Sequence, residues 1–379
     1  MELTLNRAVM NVQVSGIRRF TYMVRDTPGA CALTIGEPDL NTPEVVKEAA
    51  KAALDANDTH YPPGNGNAYL LEAISKFEAE KHDLHYSPDE IIATVGATEA
   101  LYVALSTIMN AGDEVIIPTP DFSLYESIVE LNNGVKVMLP TAHNRFQIDP
   151  KELEAAITDK TKAIILTSPN NPTGCIYTKE TLDAIHEVLK DKPIFVICDD
   201  VYRTLTYAEG YHSFSEYQDM RDRIIVVQSF SKPYAMTGWR LGYVMCDAPI
   251  RDRMQIFHQY CVTSIPSFVQ RACVAALESD TSEFVEIFRK RKEYVYKRLV
   301  DMGLEVQEPE GAFYMFINIQ KYGMDSETFC EKMVKEGKVG LIPGIYFSCE
   351  GYMRLSYCYS DEDLKEGLDR IEKFIKTLE

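Results

Sequence analysis

The 379-residue sequence predicts an α/β protein: a large domain with a mostly parallel seven-stranded sheet flanked by helices, followed by a smaller α+β domain. Three observations predict it. Seven short β-rich runs recur between residues 91 and 245, most of them nearly continuous in apolar residues, as in strands buried on both faces. Helical patterns separate several of these runs, the alternation that builds a parallel sheet covered on both sides. From about residue 283 the pattern changes to a long charged helix, one apolar run and a terminal helix.

The seven runs are IIATV (91–95), EVIIP (114–118), VKVML (135–139), AIILT (163–167), IFVIC (194–198), IIVVQ (224–228) and LGYVM (241–245). ATEALYVALSTIM and TKETLDAIHEVLK are the clearest helices between them. SEFVEIFRKRKEYVYKRLVDMG opens the smaller unit, GAFYMFINI crosses it and DEDLKEGLDRIEKFIKTLE closes it. The expected division is an N-terminal arm and small-domain segment at 1–43, a large domain at 44–282 and a small domain at 283–379. The first of these is too short to fold alone, so it is expected to pack on the small domain or clasp a neighbour.

A net charge of −18 repels a phosphate backbone and anionic lipid alike, which argues against nucleic acid and membrane partners. The nine cysteines form no C-x-x-C pair and no cluster at metal spacing, so no metal site is expected. Unpaired thiols fit a reducing cytosol. The first twenty residues have no long apolar core, and no apolar run approaches membrane-spanning length, so a cytoplasmic protein is expected.

In sheets of this kind, ligands sit beyond the carboxyl ends of the strands. After IIATV comes GATEAL, a glycine turn entering a helix, which suits an anionic phosphate but also caps helices for structural reasons alone. After AIILT comes SPNNPTG, where Asn171 is either a turn residue or a rigid hydrogen-bonding amide. After IFVIC come Asp199 and Asp200, carboxylates that are costly there unless a cation or donors meet them; a capped helix start is the structural alternative. After IIVVQ comes SFSK, two hydroxyls and the amine of Lys232. Arg240 precedes the last strand and suits bidentate phosphate or carboxylate recognition.

SFSKPYAMTGWRLGY, NPTG, DDVY and YMRLSYC together resemble the aspartate aminotransferase superfamily, the fold-type-I enzymes that use pyridoxal 5′-phosphate, in the order of the motifs as well as their content. SGIRRF, LTIGEPDL and EGLDRIEKF are similar to its bacterial class I members that act on aspartate, aromatic amino acids or N-acetyl-diaminopimelate. The resemblance implies a transaminase that moves an amino group from an L-amino acid to a 2-oxo acid by a ping-pong route. Lys232 would form the Schiff base with the cofactor, and Asp199 would pair with its ring nitrogen. Asn171 and Tyr202 would bond the ring's 3-hydroxyl oxygen, and Phe122 would stack on the ring. Gly96, Ala97, Thr98, Ser229, Ser231 and Arg240 would surround the phosphate. Tyr61 would reach the phosphate of a neighbouring subunit, which implies a homodimer. Gly36, through its backbone, Asn171 and Arg354 would hold the substrate's α-carboxylate.

The chemistry asks for these residue types. A Cα–H is too weak an acid for a side chain alone, and an electron-sink cofactor works best with its ring nitrogen protonated beside a carboxylate. Lys232 must act as a neutral amine, which desolvation favours. Where some relatives read an acidic substrate side chain with a lysine in the glycine turn, this chain has Thr98; Arg18 or Arg19 of the arm could supply a cation instead. Tyr22, Tyr69 and Tyr260 could line an aromatic pocket or fill the core, and core packing is expected. Three rival readings are a carbon–sulfur β-lyase on the same fold, a ligand-sensing regulator, and a lysine enzyme without the cofactor. The regulator needs a DNA-binding domain for which there is no room. The cofactor-free enzyme leaves Asp199, Ser229, Ser231 and Arg240 without a purpose.

Overall fold

Seven strands form one sheet in the computed structural model, which describes residues 3–378; the outermost residues of the first and last expected domain ranges, 1–2 and 379, lie outside it. The strands are β1 (Ile91–Thr94), β2 (Glu114–Thr119), β3 (Val135–Pro140), β4 (Thr161–Thr167), β5 (Phe195–Asp199), β6 (Ile224–Ser229) and β7 (Gly242–Met245). Their order across the sheet is β1-β7-β6-β5-β4-β2-β3. β7 runs antiparallel to both of its neighbours, and all the other pairings are parallel. Each of the seven apolar runs therefore supplies one strand, with ends shifted by one or two residues.

Alternation along each strand feeds two cores. Ile91, Ile164, Val196, Cys198, Ile224 and Val226 pack on one face, with helices Glu44–Asp55, Ala68–His82, Lys179–Leu189 and Ser267–Leu277. Ile92, Ile165, Ile197, Ile225 and Val227 pack on the other, with helices Gly96–Ile108, Leu124–Leu131 and Ala248–Val262. Burial on both faces explains why the strands read as unbroken apolar runs.

A second, antiparallel sheet comprises β8 (Glu305–Val306), β9 (Tyr314–Asn318), β10 (Ile342–Pro343) and β11 (Tyr352–Ser356), in the order β10-β11-β9-β8. Its core includes Phe316, Leu355 and Phe374 from the C-terminal region, and Phe20 and Leu33 from the N-terminal segment. The short strand Cys31–Ala32 also pairs with Val339–Gly340, tying the arm to this unit.

Residues 201–204 form turns, so the alternative of a capped helix start is absent; Asp199 ends its strand and Tyr202 sits in the turn beyond it. One local expectation fails. Tyr22 and Tyr260 are 49% and 85% exposed, whereas Tyr69, partly buried beneath Arg271, does pack against the core of the large sheet. The reason is helical phase. The buried stripe of Gly16–Arg25 is Phe20 and Val24, and that of Ala248–Val262 is Met254 and His258.

Candidate active site

Register brings the chemistry together. Thr167 lies opposite Asp199, Asp199 opposite Val227, Ser229 opposite Gly242, and Gly242 opposite Thr94. Adjacent strands lie about 4.8 Å apart, so groups at these ends share one small region. A cavity of about 530 Å³ opens there, walled from the sheet side by Thr167, Asn171, Asp199, Ser229 and Ser231.

Ala97, Thr98, Phe122, Tyr202, Lys232, Arg240, Gly36 and Arg354 also line it. Gly96 sits just behind. Its φ is +73°, and a Cβ there would lie 2.6 Å from an Arg240 guanidinium nitrogen, so glycine alone lets the arginine approach the turn. The Ser229 hydroxyl accepts the Ser231 N–H at 3.0 Å, folding the loop back on itself. Tyr61 is the one candidate away from the cavity; it is 91% exposed.

Asp199 is buried, and its Oδ2 accepts the Tyr125 hydroxyl at 2.5 Å while Oδ1 has no hydrogen-bond partner among the described residues. Burial raises its carboxyl to about 6, against the Tyr125 hydrogen bond, which lowers it. Lys232 donates to the Gly36 carbonyl. Burial is the main cause of its pKa falling to about 8, and the Arg354 and Arg240 charges push the same way. The amine thus loses its proton near neutrality, where an exposed lysine would not.

Arg354, on β11, reaches across to the large unit and donates to Asn171 Oδ1 at 2.8 Å and to the Thr34 carbonyl at 2.6 Å. Its guanidinium is buried between the rings of Tyr314 and Phe347, and no carboxylate among the described residues pairs with it. Tyr202 and Tyr314 join their hydroxyls at 2.7 Å.

Tyr125, Thr167, Tyr314 and Thr34 were not singled out by sequence reasoning. Tyr125 lies on helix Leu124–Leu131, which covers the face to which Asp199 also projects, and Thr167 takes a further 2.8 Å contact from it. No local signal marks a helix tyrosine for this contact. Of the two arm arginines, Arg18 lines the cavity, whereas Arg19 is engaged by Glu327 and the Tyr346 hydroxyl.

Residues 30–371 match the family model described as "Aminotransferase class I and II". The chain is 39% identical to a probable N-acetyl-LL-diaminopimelate aminotransferase of Bacillus subtilis, over 99% of this chain and 96% of that protein. It is 40% identical to an aspartate aminotransferase of Pyrococcus abyssi, over 96% of each. The crystal structure of an aromatic aminotransferase from Pyrococcus horikoshii superposes with a TM-score of 0.90 at 38% identity, over 94% of this chain and 99% of that one. With a low-pKa lysine, a half-satisfied buried carboxylate and an unpaired guanidinium around one cavity, and with these relatives, the chain belongs to the class I and II aminotransferase family and is a pyridoxal phosphate-dependent transaminase.

Proposed function

We propose that the enzyme transfers the amino group of an L-amino acid to a 2-oxo acid by a ping-pong route, with Lys232 as its catalytic base. The carrying observation is Arg354: a buried cation facing the same cavity as Lys232, with no internal anion among the described residues. A buried unpaired charge is costly, and a substrate carboxylate offsets that cost.

The residues present fit the cofactor. The orphan Oδ1 of Asp199 suits a protonated ring nitrogen, and Tyr202 and Asn171 suit the ring hydroxyl. Gly96, Ala97, Thr98, Ser229, Ser231 and Arg240 would form the cradle for the phosphate, and Phe122 would cover the ring. Bound pyridoxal phosphate supplies the electron sink that makes Cα–H cleavage feasible. Arg354 and Asn171 hold the α-carboxylate and so fix the Cα–H toward Lys232. Lys232, whose pKa burial lowers to about 8, would take that proton from Cα and deliver it to C4′ of the cofactor. Asp199 would hold the ring nitrogen's proton, with the Tyr125 hydrogen bond favouring the ionised carboxyl. The wall from helix Gly16–Arg25, with Ile17, Arg18 and Tyr22, receives the substrate side chain, and Arg18 is suited to an acidic one.

We further propose a homodimer in which Tyr61 serves the partner's phosphate. Tyr61, Ile256 and Tyr260 are all exposed apolar side chains, and the Gly64 loop lies against helix Ala248–Val262 at Gln255. The division at residues 43/44 and 282/283 and a cytosolic setting complete the reading; the nine cysteines form no disulfide, which supports the latter.

The test is to mix purified enzyme with single amino acids and follow the cofactor spectrum. Conversion to the pyridoxamine form, reversed by a 2-oxo acid, is expected. Release of ammonia and pyruvate without that form would assign a lyase instead.

A further inference from the structure

We propose that His258 is a positioning residue for the cofactor phosphate, clamping the turn that cradles it to the loop that carries Tyr61. The proposal rests on the reading that Tyr61 serves the partner's phosphate. His258 is fully buried on helix Ala248–Val262 and lies outside the cavity. Its Nε2 is 2.8 Å from the Gly64 carbonyl, and its Nδ1 is 2.7 Å from Glu99 Oε1. The other Glu99 oxygen accepts the Val95 N–H at 2.6 Å.

Donor logic sets the tautomer. A carbonyl only accepts, so Nε2 carries a hydrogen. Nδ1 and Glu99 Oε1 share one further proton between them, so the ring is hydrogen-bonded at both ends.

Each end is placed where it matters. Val95 and Glu99 bracket Gly96, Ala97 and Thr98, the phosphate cradle. Gly64 lies three residues after Tyr61, and the intervening Pro62 and Pro63 have no N–H to anchor the loop. The loop is held through its carbonyls: Gly64 by His258, and Asn65 by the Ala93 N–H at 2.9 Å. Tyr61 is almost wholly exposed, so its direction is set by this backbone. One side chain thus links a subunit's own phosphate cradle to the loop that completes its partner's, and couples the two sites of the dimer.

The experiment measures how fast the holoenzyme loses pyridoxal phosphate on dilution. His258→Phe is expected to speed release about 10- to 100-fold, as for one charge-assisted hydrogen bond lost, with the KM for amino acid little changed because Arg354 is untouched. Glu99→Ala should match it. Glu99→Gln should stay near the wild-type rate, because the glutamine amide can accept from Val95 and donate to a neutral Nδ1. Nitrogen NMR should show His258 Nε2 protonated both in the wild type and in Glu99→Gln, because the Gly64 carbonyl accepts from it in each. Should His258→Phe fail to fold, the two Glu99 variants and the spectrum decide. Wild-type release in folded His258→Phe or Glu99→Ala dimers, equally fast release in Glu99→Gln, or a wild-type ring with no proton on Nε2 would overturn the clamp. Tyr61→Phe separates the two readings: unchanged release there removes the cross-subunit role, whereas fast release there with wild-type release in His258→Phe removes the clamp alone.

Discussion

The Arg354 guanidinium and the Asn171 amide oxygen meet at 2.8 Å across the cavity, joining β11 of the small sheet to the turn after β4 of the large one. If Arg354 and Asn171 hold the substrate carboxylate as proposed, that carboxylate would touch both units at once, and its binding would draw them together and exclude water. Arg354→Gln should raise KM for amino acids and 2-oxo acids alike, by the equivalent of about 2–5 kcal/mol for one half of a buried charge pair. Arg354→Lys should recover little, because an ammonium lacks the planar fork. Steady-state kinetics on both half-reactions check this; an unchanged KM would remove Arg354 from the site.

Asp199→Asn should stabilise the cofactor-free protein while crippling the enzyme. Burial raises the carboxyl from 3.8 to about 6, so the folded chain holds this proton more tightly than the unfolded chain. Ionising it therefore costs stability: nothing below about pH 4, and the full amount above about pH 6. That amount is on the order of 2–3 kcal/mol at pH 7. Asparagine escapes the cost, so its melting temperature should exceed the wild type's at pH 7 and match it near pH 4. Transamination should fall by orders of magnitude. A lower melting temperature at pH 7 would show that the carboxylate has another partner.

Tyr125→Phe removes the hydroxyl that donates to Asp199 Oδ2. This hydrogen bond favours the charged carboxylate, so its loss pushes the Asp199 carboxyl higher still. Retention of pyridoxal phosphate on acidification should then fail at a higher pH, by roughly one unit. A titration of cofactor absorbance in both proteins reads the shift directly, and coincident curves would break the link between the two residues.

Gly36→Ala tests the floor beneath Lys232. A Cβ at this position would lie 1.9 Å from the Tyr314 hydroxyl, which itself bonds Tyr202. The clash should cost about 1–3 kcal/mol, as overpacking does, and should shift the carbonyl that receives the Lys232 amine. Tyr314→Phe in the same chain should return part of the lost melting temperature. Full stability in the single variant would mean that the Gly36 segment moves freely.

The sequence by itself determined the strands and the place of the chemistry. Burial on both faces forces apolar runs that announce themselves, and a parallel sheet must present its ligands at the carboxyl ends. Lys232, Asp199, Asn171 and Arg240 could therefore be found by looking at the residues beside each run, and the order of the motifs supplied the family. Tyr125, Tyr314, Thr34 and the Glu99–His258–Gly64 link had no such mark. They meet their partners across 42 to 320 residues of chain. Tyr22 and Tyr260 misled for the same reason: composition favours burying a tyrosine, but helical phase turned these outward. Only the tertiary structure decided which groups went unpaired and how far burial moved them. The Lys232 amine near 8 and the Asp199 carboxyl near 6 are properties of surroundings that no stretch of neighbouring residues contains.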